Sequence, residues 1–337
     1  GAFLRYTQDG SEPSPTRGTA VGPDAATGLA SVTITVTQSQ PLRAVAYRDD
    51  FEPSAVQTHT YLFANQVERQ PAQIPGYPGT WGVYGAYGPT PGQPVPADYE
   101  IDPEVVRVTT PGFTIRDAIE SLPALCLTTS ISNLFDPTTG IYPNSASQGS
   151  QWERPASAEL VFPDGRAGFQ IDAGVRIHGG LSRQHWHALK HSFRLSFSRD
   201  YGPPRLEFRL FDDSRVTSFN ELTLRASSTD GWSVEDAQPW TRPKATYMRD
   251  VWMKDTQQTL GWPCGHSRYV HLFLNGIYWG QYNLAERTEE VWLSENEGGD
   301  PDEYDIIKDE AELEHGERDA WNQMIALARS GLASDAA

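Results

Sequence analysis

Two segments with alternating apolar and polar residues constrain the fold of this chain more than any other feature. In residues 169–177, apolar side chains occupy every second position, and Gln170, Asp172 and Arg176 lie between them. The same period of two recurs in residues 193–197. Because successive side chains of a β-strand point to opposite faces, both segments predict strands with one buried face. We therefore expect two neighbouring strands of one sheet, joined by the loop between them.

The window from Arg176 to Arg199, which contains this loop, has an unusual charge. It holds five Arg or Lys residues, four His residues and no Asp or Glu, although the whole chain has a formal net charge of −17. Such a cationic window suits an anionic ligand, since nearby carboxylates would repel it. The alternative is a basic strand face that pairs with acidic residues elsewhere in the fold. The acidity of the whole chain argues against general binding to duplex nucleic acid.

The first 63 residues predict only β-structure. Short strand-like segments are separated by turn signals, and no helical pattern interrupts them. We therefore expect a small all-β, immunoglobulin-like sandwich over residues 1–63, and hence a multi-domain chain. The expected strands of this sandwich include Phe3–Tyr6, Val32–Val36, Leu42–Arg48 and Thr58–Phe63.

Residues 64–110 differ in composition from their surroundings. They are rich in Pro and Gly with interspersed aromatic residues, which predicts an irregular linker without a fold of its own. Trp81, Tyr84 and Tyr87 are the side chains that we expect to hold this linker against a surface. Residues 111–337 then mix helical and strand patterns, which predicts a second domain of the α+β class.

Three further elements are predicted in this second domain. A helix is expected to begin near Pro243 and to end at Gly261, because Pro fits the first turn and Gly supplies a stop. The Asn275-Gly276 pair between two apolar segments predicts a β-hairpin with a type I′ turn. A last helix is expected to bury a stripe formed by Trp321, Met324, Ile325 and Ala328.

Several residues of the cationic window are candidates for ligand binding. Gly179 and Gly180 lie between the two predicted strands, where the lack of a Cβ lets the backbone approach a ligand or bend sharply. Lys190 follows at the entry to the second strand, and its ammonium group is a compact cation with three donors that suits a phosphate. His185 and His187 could share a metal ion, but the window offers no Cys or carboxylate to complete the site. We therefore expect exposed loop histidines and assign no metal ligands.

Glu286 is the acidic candidate. It ends the second strand of the predicted hairpin, where a buried carboxylate needs a cationic partner because an isolated charge is costly to desolvate. Lys190 and Arg249 are the partners that we expect, and protein kinases use such a Lys–Glu pair to orient the lysine toward phosphate. The alternative is an ordinary surface glutamate next to Arg287.

Other signatures of catalysis and location are missing from the sequence. No P-loop ending in GK[ST], no HRD or DFG motif and no G-x-S-x-G elbow occurs, so motifs alone assign no reaction. No run of about 18 apolar residues predicts a membrane span. The two cysteines, Cys126 and Cys264, leave open either a disulfide or two free thiols.

An ordered series of segments resembles the CotH kinase family, a group named for a spore coat protein. The series covers roughly residues 120–330 and is more specific than any of its members. Its segments are Gly140–Phe162, Phe169–Phe197, Tyr201–Phe211, Phe219–Trp232, Tyr247–Gly261, Tyr269–Arg287 and Tyr304–Lys308. Residues 1–63 resemble the chitobiase/hexosaminidase C-terminal-type module, which is immunoglobulin-like or Fn3-like. The matching segments of this module are Arg5–Ser14, Leu42–Val56 and Thr58–Phe63.

The resemblance implies a fold and an activity. The family is similar to distant, atypical protein kinases that transfer phosphate from ATP to Ser or Thr of secreted or coat proteins. Residues 111–337 would be the N-terminal part of such a domain, with ATP and Mg²⁺ as cofactors. The implied location is outside a bacterial cell or on its surface, and the implied partner is a secreted or surface protein.

The resemblance also implies a nucleotide site. Lys190 would contact phosphate, Glu286 would orient Lys190, and Arg249 would support the cluster. The cofactor-binding residues implied are Lys190, Glu286, Arg249, Arg183, Gly179 and Gly180. The catalytic and Mg²⁺-binding aspartates of the family lie further along its sequence, so we expect them downstream of Ala337. We therefore expect no phosphate transfer by this chain alone.

A function of a different class is also open. The protein would then be a non-catalytic extracellular adhesion or carbohydrate-binding protein, in which exposed Trp and Tyr rings stack on sugars. Polysaccharide would be bound through residues 1–63. Stabilisation by Mg-ATP but not by oligosaccharides distinguishes the kinase from the carbohydrate-binding protein.

Overall fold

Seventeen β-strands and seven short α-helices form the described part of this computed structural model, residues 1–231, 244–308 and 311–331. The first region contains β1 (Phe3–Thr7), β2 (Thr19–Val21), β3 (Gln40–Tyr47) and β4 (Gln57–Tyr61). The second contains α1 (Ala64–Val67), β5 (Thr80–Val83), β6 (Pro94–Pro96), α2 (Pro103–Val106) and α3 (Ile115–Ile119). The third begins with β7 (Ala124–Thr128), α4 (Ile131–Phe135), β8 (Arg154–Val161), β9 (Gln170–His178), β10 (Ser192–Ser196), β11 (Leu206–Glu207), β12 (Ser218–Phe219) and β13 (Glu221–Arg225). It ends with α5 (Arg249–Thr259), β14 (Ser267–Leu274), β15 (Ile277–Glu286), α6 (Glu290–Glu297), β16 (Ile306–Lys308), β17 (Glu312–His315) and α7 (Asp319–Ser330).

The first 63 residues form one antiparallel sheet with the strand order β2-β1-β3-β4. The central strands β1 and β3 pair along their length, with Tyr6 opposite Ala44. The prediction of a strand at Val32–Val36 is wrong, because this segment joins no sheet and its side chains are exposed or half-buried on both faces. A segment with alternating residues forms a strand only where a core buries its apolar side chains and a neighbouring strand pairs with its backbone. Residues 1–63 therefore lack the second sheet of a sandwich, and the immunoglobulin-like module is not confirmed.

The Pro/Gly-rich residues 64–110 contribute to the core of the molecule. Trp81 is fully buried, and its ring lies 5.0 Å from that of Trp279 in β15. Tyr84 is also buried, whereas the side chain of Tyr87 is 85% exposed. The expected anchoring role is therefore confirmed for Trp81 and Tyr84 and wrong for Tyr87.

A closed seven-stranded barrel is the centre of the third region, with the strand order β10-β13-β15-β14-β7-β8-β9. β9 and β10 are the strands that the alternating segments predict, and their antiparallel pairing, with Phe193 opposite Ile177, confirms that prediction. Every neighbouring pair is antiparallel except β7 and β14, which run parallel. The described chain is mostly β, with α5 and α7 of only 11 and 12 residues. The α+β, protein-kinase-like arrangement is therefore not confirmed.

The interior of the barrel is the main hydrophobic core. One face of each strand supplies it, including Ile171, Val175, Phe193, Leu195, Leu222, Leu224, Val270, Leu272, Tyr282 and Leu284. Because side chains alternate along a strand, the intervening polar residues point to the outside of the barrel. A smaller apolar cluster lies outside the barrel beneath α1 and α3 and includes Cys126 and Phe273. Cys126 and Cys264 are both free thiols.

The β14–β15 hairpin turns at Asn275-Gly276, as the sequence predicts. Both residues have positive φ angles, 50° and 83°, which a type I′ turn requires. A Cβ at Gly276 would lie 2.7 Å from the Cα of Gln40, so glycine also lets the first sheet pack on the turn. The Asn275 side chain accepts a hydrogen bond from Thr129 N at 2.9 Å and donates one to Thr129 O at 2.8 Å. The turn therefore joins the first sheet to the barrel.

The helices of the third region bury little apolar surface. α5 begins at Arg249, and Pro243, the predicted first-turn residue, lies outside the described residues. The side chains of Trp252 and Leu260 are 62% and 70% exposed. The predicted buried stripe of α7 is wrong, because none of its described residues is buried and Met324 is 51% exposed. Among the described residues, no helix combines the length and the apolar character needed to cross a membrane.

Replacement of Trp81 tests whether residues 64–110 belong to the barrel core. Trp81→Ala leaves a cavity beside Trp279, so the free energy of unfolding is expected to fall by about 3–5 kcal/mol. Urea denaturation followed by circular dichroism measures this loss. Tyr87→Ala is the matched control, and removal of this exposed ring should cost less than about 0.5 kcal/mol. Equal losses in the two variants would contradict the packing.

Candidate functional site

Four polar side chains form a line across the outer face of the barrel, and we call them the polar row. They are His178 on β9, Ser192 on β10, Arg225 on β13 and Asn283 on β15. The strand register makes them neighbours, since Ser192 pairs with His178, Arg225 pairs with Asn283, and the β10–β13 ladder places Ser192 opposite Arg225. Neighbouring strands lie about 4.8 Å apart, so the row spans about 14 Å.

The polar row lines a cleft of about 150 Å³. The other residues that line it are Gly179, Ser182, Ser227, Ser228, Thr229, Asp230, Tyr247, Asp250 and Val251. Whole small-molecule sites usually enclose about 300–1,000 Å³, so this cleft is suited to one part of a larger ligand. Its lining contains several hydroxyl groups, the cation of Arg225 and the carboxylates of Asp230 and Asp250.

The backbone around the cleft is conformationally strained. Ser227 and Tyr247 have φ angles of 51° and 57°, which residues other than glycine rarely adopt. Gly179 has a φ of 114°, and a Cβ there would lie 2.2 Å from the Ser182 hydroxyl, so only glycine fits. Gly180 has open space around it and a negative φ. Strained residues concentrate at ligand sites because such sites need unusual backbone positions.

Asp230 links the cleft to the start of α5. Its carboxylate accepts hydrogen bonds from Thr246 N at 2.9 Å, Met248 N at 3.1 Å and Arg249 N at 3.2 Å. It also pairs with the Arg249 guanidinium at 2.5 Å. Burial alone would raise the pKa of Asp230, but the bonds from Thr246 and Arg249 lower it below its usual value. This carboxylate is therefore ionised and fully occupied by donors.

Arg225 is held at the edge of the cleft by an acidic residue of α5. Its guanidinium lies 3.1 Å from Asp250, which also pairs with Lys254 at 3.0 Å. The Arg225 side chain remains 45% exposed. Asp250 on α5 thus orients the guanidinium of Arg225 on β13, and the exposed part of this guanidinium can contact a ligand.

Four arginines lie around His178 at the β9 end of the row. Burial, together with the charges of Arg287, Arg194, Arg183 and Arg225, lowers the pKa of His178 to about 3. The imidazole is therefore neutral near pH 7, and burial is the largest cause.

Other cations of the window are neutralised by acidic residues from elsewhere in the chain. Arg176 lies 3.6 Å from Glu153, and Arg194 pairs with Glu221. The Arg287 guanidinium lies 2.7 Å from the same Glu221. The alternative reading of the sequence, a basic strand face with acidic partners, is therefore confirmed for Arg176 and Arg194.

Lys190 lies against aromatic rings at the inner side of the barrel. Its Nζ is 4.4 Å from the ring centroid of Trp279 and 5.5 Å from that of Trp81. Burial lowers the pKa of Lys190 to about 8, and the charge of Asp98 opposes this shift. The amine therefore makes cation–π contacts on the side of the sheet opposite to the polar row.

Glu286 does not pair with Lys190, so the predicted Lys–Glu pair is wrong. Its side chain is 1% exposed and accepts hydrogen bonds from His266 N at 2.7 Å, His266 Nδ1 at 2.9 Å and Trp292 Nε1 at 2.9 Å. Glu286 lies seven residues from Trp279 along β15, which corresponds to about 23 Å of strand. Lys190 contacts the Trp279 end of that strand, so tertiary structure separates the two charges.

The other predicted residues differ in their distance from the cleft. Gly179 lines the cleft, and Arg249 reaches its edge through Asp230. Arg183 is buried and donates to the carbonyl oxygens of Gly179 and Ser147, the latter at 2.9 Å, so it holds the loop in place. The predicted cluster of Lys190, Glu286 and Arg249 does not form, and a role of each residue in cofactor binding stays a prediction.

The histidines of the window are not exposed loop residues, contrary to expectation. His191 is fully buried and His185 is 6% exposed. The two rings are hydrogen-bonded to each other at 3.1 Å, and His191 Nδ1 lies 2.9 Å from Ser182 O. Among the described residues, no group of three His, Cys, Asp or Glu side chains is arranged to hold a metal ion.

The segment that carries the polar row also matches a known family. Residues 175–327 match the family model described as CotH kinase protein. This segment is similar to the CotH kinase family. The match covers less than half of the chain and does not reach residues 1–63, whose resemblance to a chitobiase-type module stays a prediction. No curated protein matches the chain.

Sequence reasoning missed the residues of the polar row, although all of them lie in the CotH-like segment. His178 and Ser192 border the cationic window, and the alternation of β9 and β10 already puts Arg176 and Arg194 on the outer face. The same parity extended by one step would have included His178 and Ser192. Arg225 and Asn283 gave no such signal, because their neighbours in the barrel are distant in sequence.

The buried histidines predict how stability depends on pH. Burial lowers the pKa of His185 to about 4 and of His191 to about 3, below the ordinary value of 6.5. Below pH 6.5 the unfolded chain therefore binds more protons than the folded protein does. The contribution of the two neutral histidines to the free energy of unfolding is complete above pH 6.5 and is lost as pH falls toward 4. At pH 5.5 the expected loss is about 1 kcal/mol for each histidine.

Urea denaturation at pH 7.5, 6.5 and 5.5 measures this dependence. His185→Gln, which cannot titrate, should make the decline below pH 6.5 shallower. An identical decline in the variant would show that His185 is not buried in its neutral form.

Replacement of Lys190 tests where this residue acts. Lys190→Met keeps the packing of an unbranched chain on Trp279, and the amine is absent from the polar row. The stabilisation of the protein by Mg-ATP in a thermal-shift measurement is therefore expected to equal that of the wild type. If Mg-ATP no longer stabilises the variant, and its circular dichroism spectrum is unchanged, Lys190 belongs to the nucleotide site and the expectation is wrong.

Proposed function

We propose that this chain supplies the nucleotide-phosphate-binding part of a CotH-like protein kinase, with the phosphates bound along the polar row. Its domains would be residues 1–63, 64–110 and 111–337, with the nucleotide site in the last. The observation that carries the proposal is the combination, in one segment, of the CotH kinase match with a strained cleft that contains the partly exposed guanidinium of Arg225. The match alone would not identify a site, and the cleft alone would not identify a nucleotide.

The geometry of the row supports phosphate as the bound group. Arg225 provides a guanidinium, which suits phosphate because its planar donors can bind two oxygens at once. The hydroxyls of Ser192 and Ser227, which also line the cleft, add donors. A chain of phosphates lying across the strands would follow the row from His178 toward Asn283.

The carboxylates beside the cleft do not fit Mg²⁺. Asp230 already binds backbone and guanidinium donors, and Asp250 is shared between Arg225 and Lys254. A Mg²⁺ ion needs carboxylate oxygens that are free of such partners. We therefore assign no metal ligand to Asp230 or Asp250 and derive no step through the ion.

The proposed reaction transfers the terminal phosphoryl group of ATP to a Ser or Thr hydroxyl of a protein. The products are ADP and the phosphorylated protein, and the hydroxyl proton is released. We further propose that the acceptor is a secreted or cell-surface protein, which rests on the resemblance to the CotH kinase family. The described residues contribute binding of the phosphates to this reaction.

Replacement of Arg225 tests the proposed function. Arg225→Gln removes the cation of the polar row and keeps an amide of similar length, so the affinity for Mg-ATP is expected to fall about tenfold or more. Isothermal titration calorimetry measures the change. Arg116→Gln is the matched control, because Arg116 is 48% exposed and pairs with Glu68 at 2.9 Å, as Arg225 does with Asp250 at 3.1 Å.

Four results would contradict the proposal. The wild type could fail to bind Mg-ATP, or Arg225→Gln could bind it as tightly as the wild type. Stabilisation by oligosaccharides but not by Mg-ATP would favour the carbohydrate-binding protein instead. Affinity that falls equally in Arg225→Gln and Arg116→Gln would show a general effect of net charge.

A further inference from the structure

The exposed side of α5 is apolar, whereas the side that packs on the rest of the protein is largely polar. Val251, Lys254 and Gln258 are half-buried, and their spacing of three and four positions puts them on one face of the helix. Lys254 pairs with Asp250 at 3.0 Å, and Gln258 donates to the Cys264 carbonyl oxygen at 2.9 Å. A surface helix normally turns its apolar face inward. The amphipathic pattern of α5 is therefore reversed.

The outward side of α5 and the residues that follow it expose a large apolar surface. Its side chains have exposed fractions between 58% and 70%, and they are Met248, Trp252, Met253, Leu260 and Trp262. At about 200 Å² for a side chain of this size, they leave roughly 600 Å² of apolar surface in contact with water. Apolar patches at or above this size mark interaction surfaces. We call these five side chains the α5 face.

The α5 face is self-complementary about the middle of the helix. Lys254 is the central residue of Arg249–Thr259, and Met248 and Leu260 lie six positions before and after it. A two-fold axis at this point would therefore place Met248 of each copy opposite Leu260 of the other copy. The two helices would run antiparallel, with opposed dipoles. Together the two faces would bury roughly 1,200 Å², the lower end of the range for stable interfaces.

The charged residues of α5 are compatible with such a contact. Arg249 pairs with Asp230 at 2.5 Å, and Asp250 pairs with Lys254 at 3.0 Å, so these charges already have partners within one copy. At 100° per residue, Asp255 lies about 90° from the centre of the face and would stay at its exposed rim. The contact therefore buries no unpaired charge, which would be costly.

We propose that two copies of this chain associate through the α5 face, antiparallel around a two-fold axis near Lys254. The area and the symmetry of the face favour a second copy as its occupant. α5 also carries Asp250, which holds Arg225 at the cleft, so the association would fix the helix that borders the cleft. The inference goes beyond the proposed function, because it rests on the apolar face and requires no nucleotide.

Replacement of Met253 tests this inference. Sedimentation velocity at about 1–100 μM chain is expected to show a reversible dimer with a micromolar dissociation constant. Met253→Glu places a charge in the interface and is expected to raise this constant about tenfold or more. Met324→Glu is the control, because it makes the same change at a 51% exposed position of α7 and should dimerise as the wild type does. Circular dichroism confirms that both variants are folded.

Cross-linking tests the arrangement of the two helices. In a Cys264→Ser background, Thr256→Cys places one thiol of each copy near the two-fold axis, and a short bismaleimide should join them. Cys126 is 1% exposed and should not react. Gln323→Cys, at an exposed position of α7, is the control and should give no covalent dimer.

Several results would overturn the inference. The wild type could remain monomeric over the whole concentration range, or Met253→Glu and Met324→Glu could dimerise equally. A dimer in which Thr256→Cys does not cross-link would have its interface elsewhere. Salt screens the repulsion between two chains of net charge −17, so association should be at least as tight at high salt as at low salt. Weaker association at high salt would show that ion pairs hold the dimer.

Discussion

Apolar packing inside the closed barrel is the interaction on which the rest of the structure depends. Seven strands enclose one core, which also receives Trp81 from the Pro/Gly-rich region, and closure leaves no free edge in this sheet. Because successive side chains of a strand point to opposite faces, the strand face that does not fill the interior points to the outside of the barrel. The polar row is therefore a consequence of core packing, and its spacing is the spacing of the strands.

The charges on that outer face are distributed unevenly. Arg176 and Arg194 are neutralised by glutamates of other segments, whereas the Arg225 side chain remains 45% exposed beside Asp250. Hydrophobic packing decides where these side chains point, and long-range ion pairs decide which cations stay available. A protein with a net charge of −17 thus keeps a partly exposed guanidinium, that of Arg225, at the cleft.

Sequence reasoning succeeded where the signal was local and failed where it was not. The strands β9 and β10 and the Asn275-Gly276 turn were predictable, because alternation and turn chemistry depend on adjacent residues. Lys190 was placed in the expected loop but with the wrong partners, since the ring of Trp279 lies 89 positions further along the chain. The buried pair of His185 and His191 was likewise missed, because burial depends on what other segments cover.

The sequence by itself determined the cationic window, the pair of alternating strands that borders it, the hairpin turn and the resemblance of this segment to the CotH kinase family. Only the tertiary structure decided the closure of the barrel, the separation of Lys190 from Glu286, and the alignment of Arg225 and Asn283 with His178. The physical reason is that strand order and register arise from hydrogen bonds and core contacts between distant segments. Composition and periodicity describe each segment alone and carry no information about which strands become neighbours.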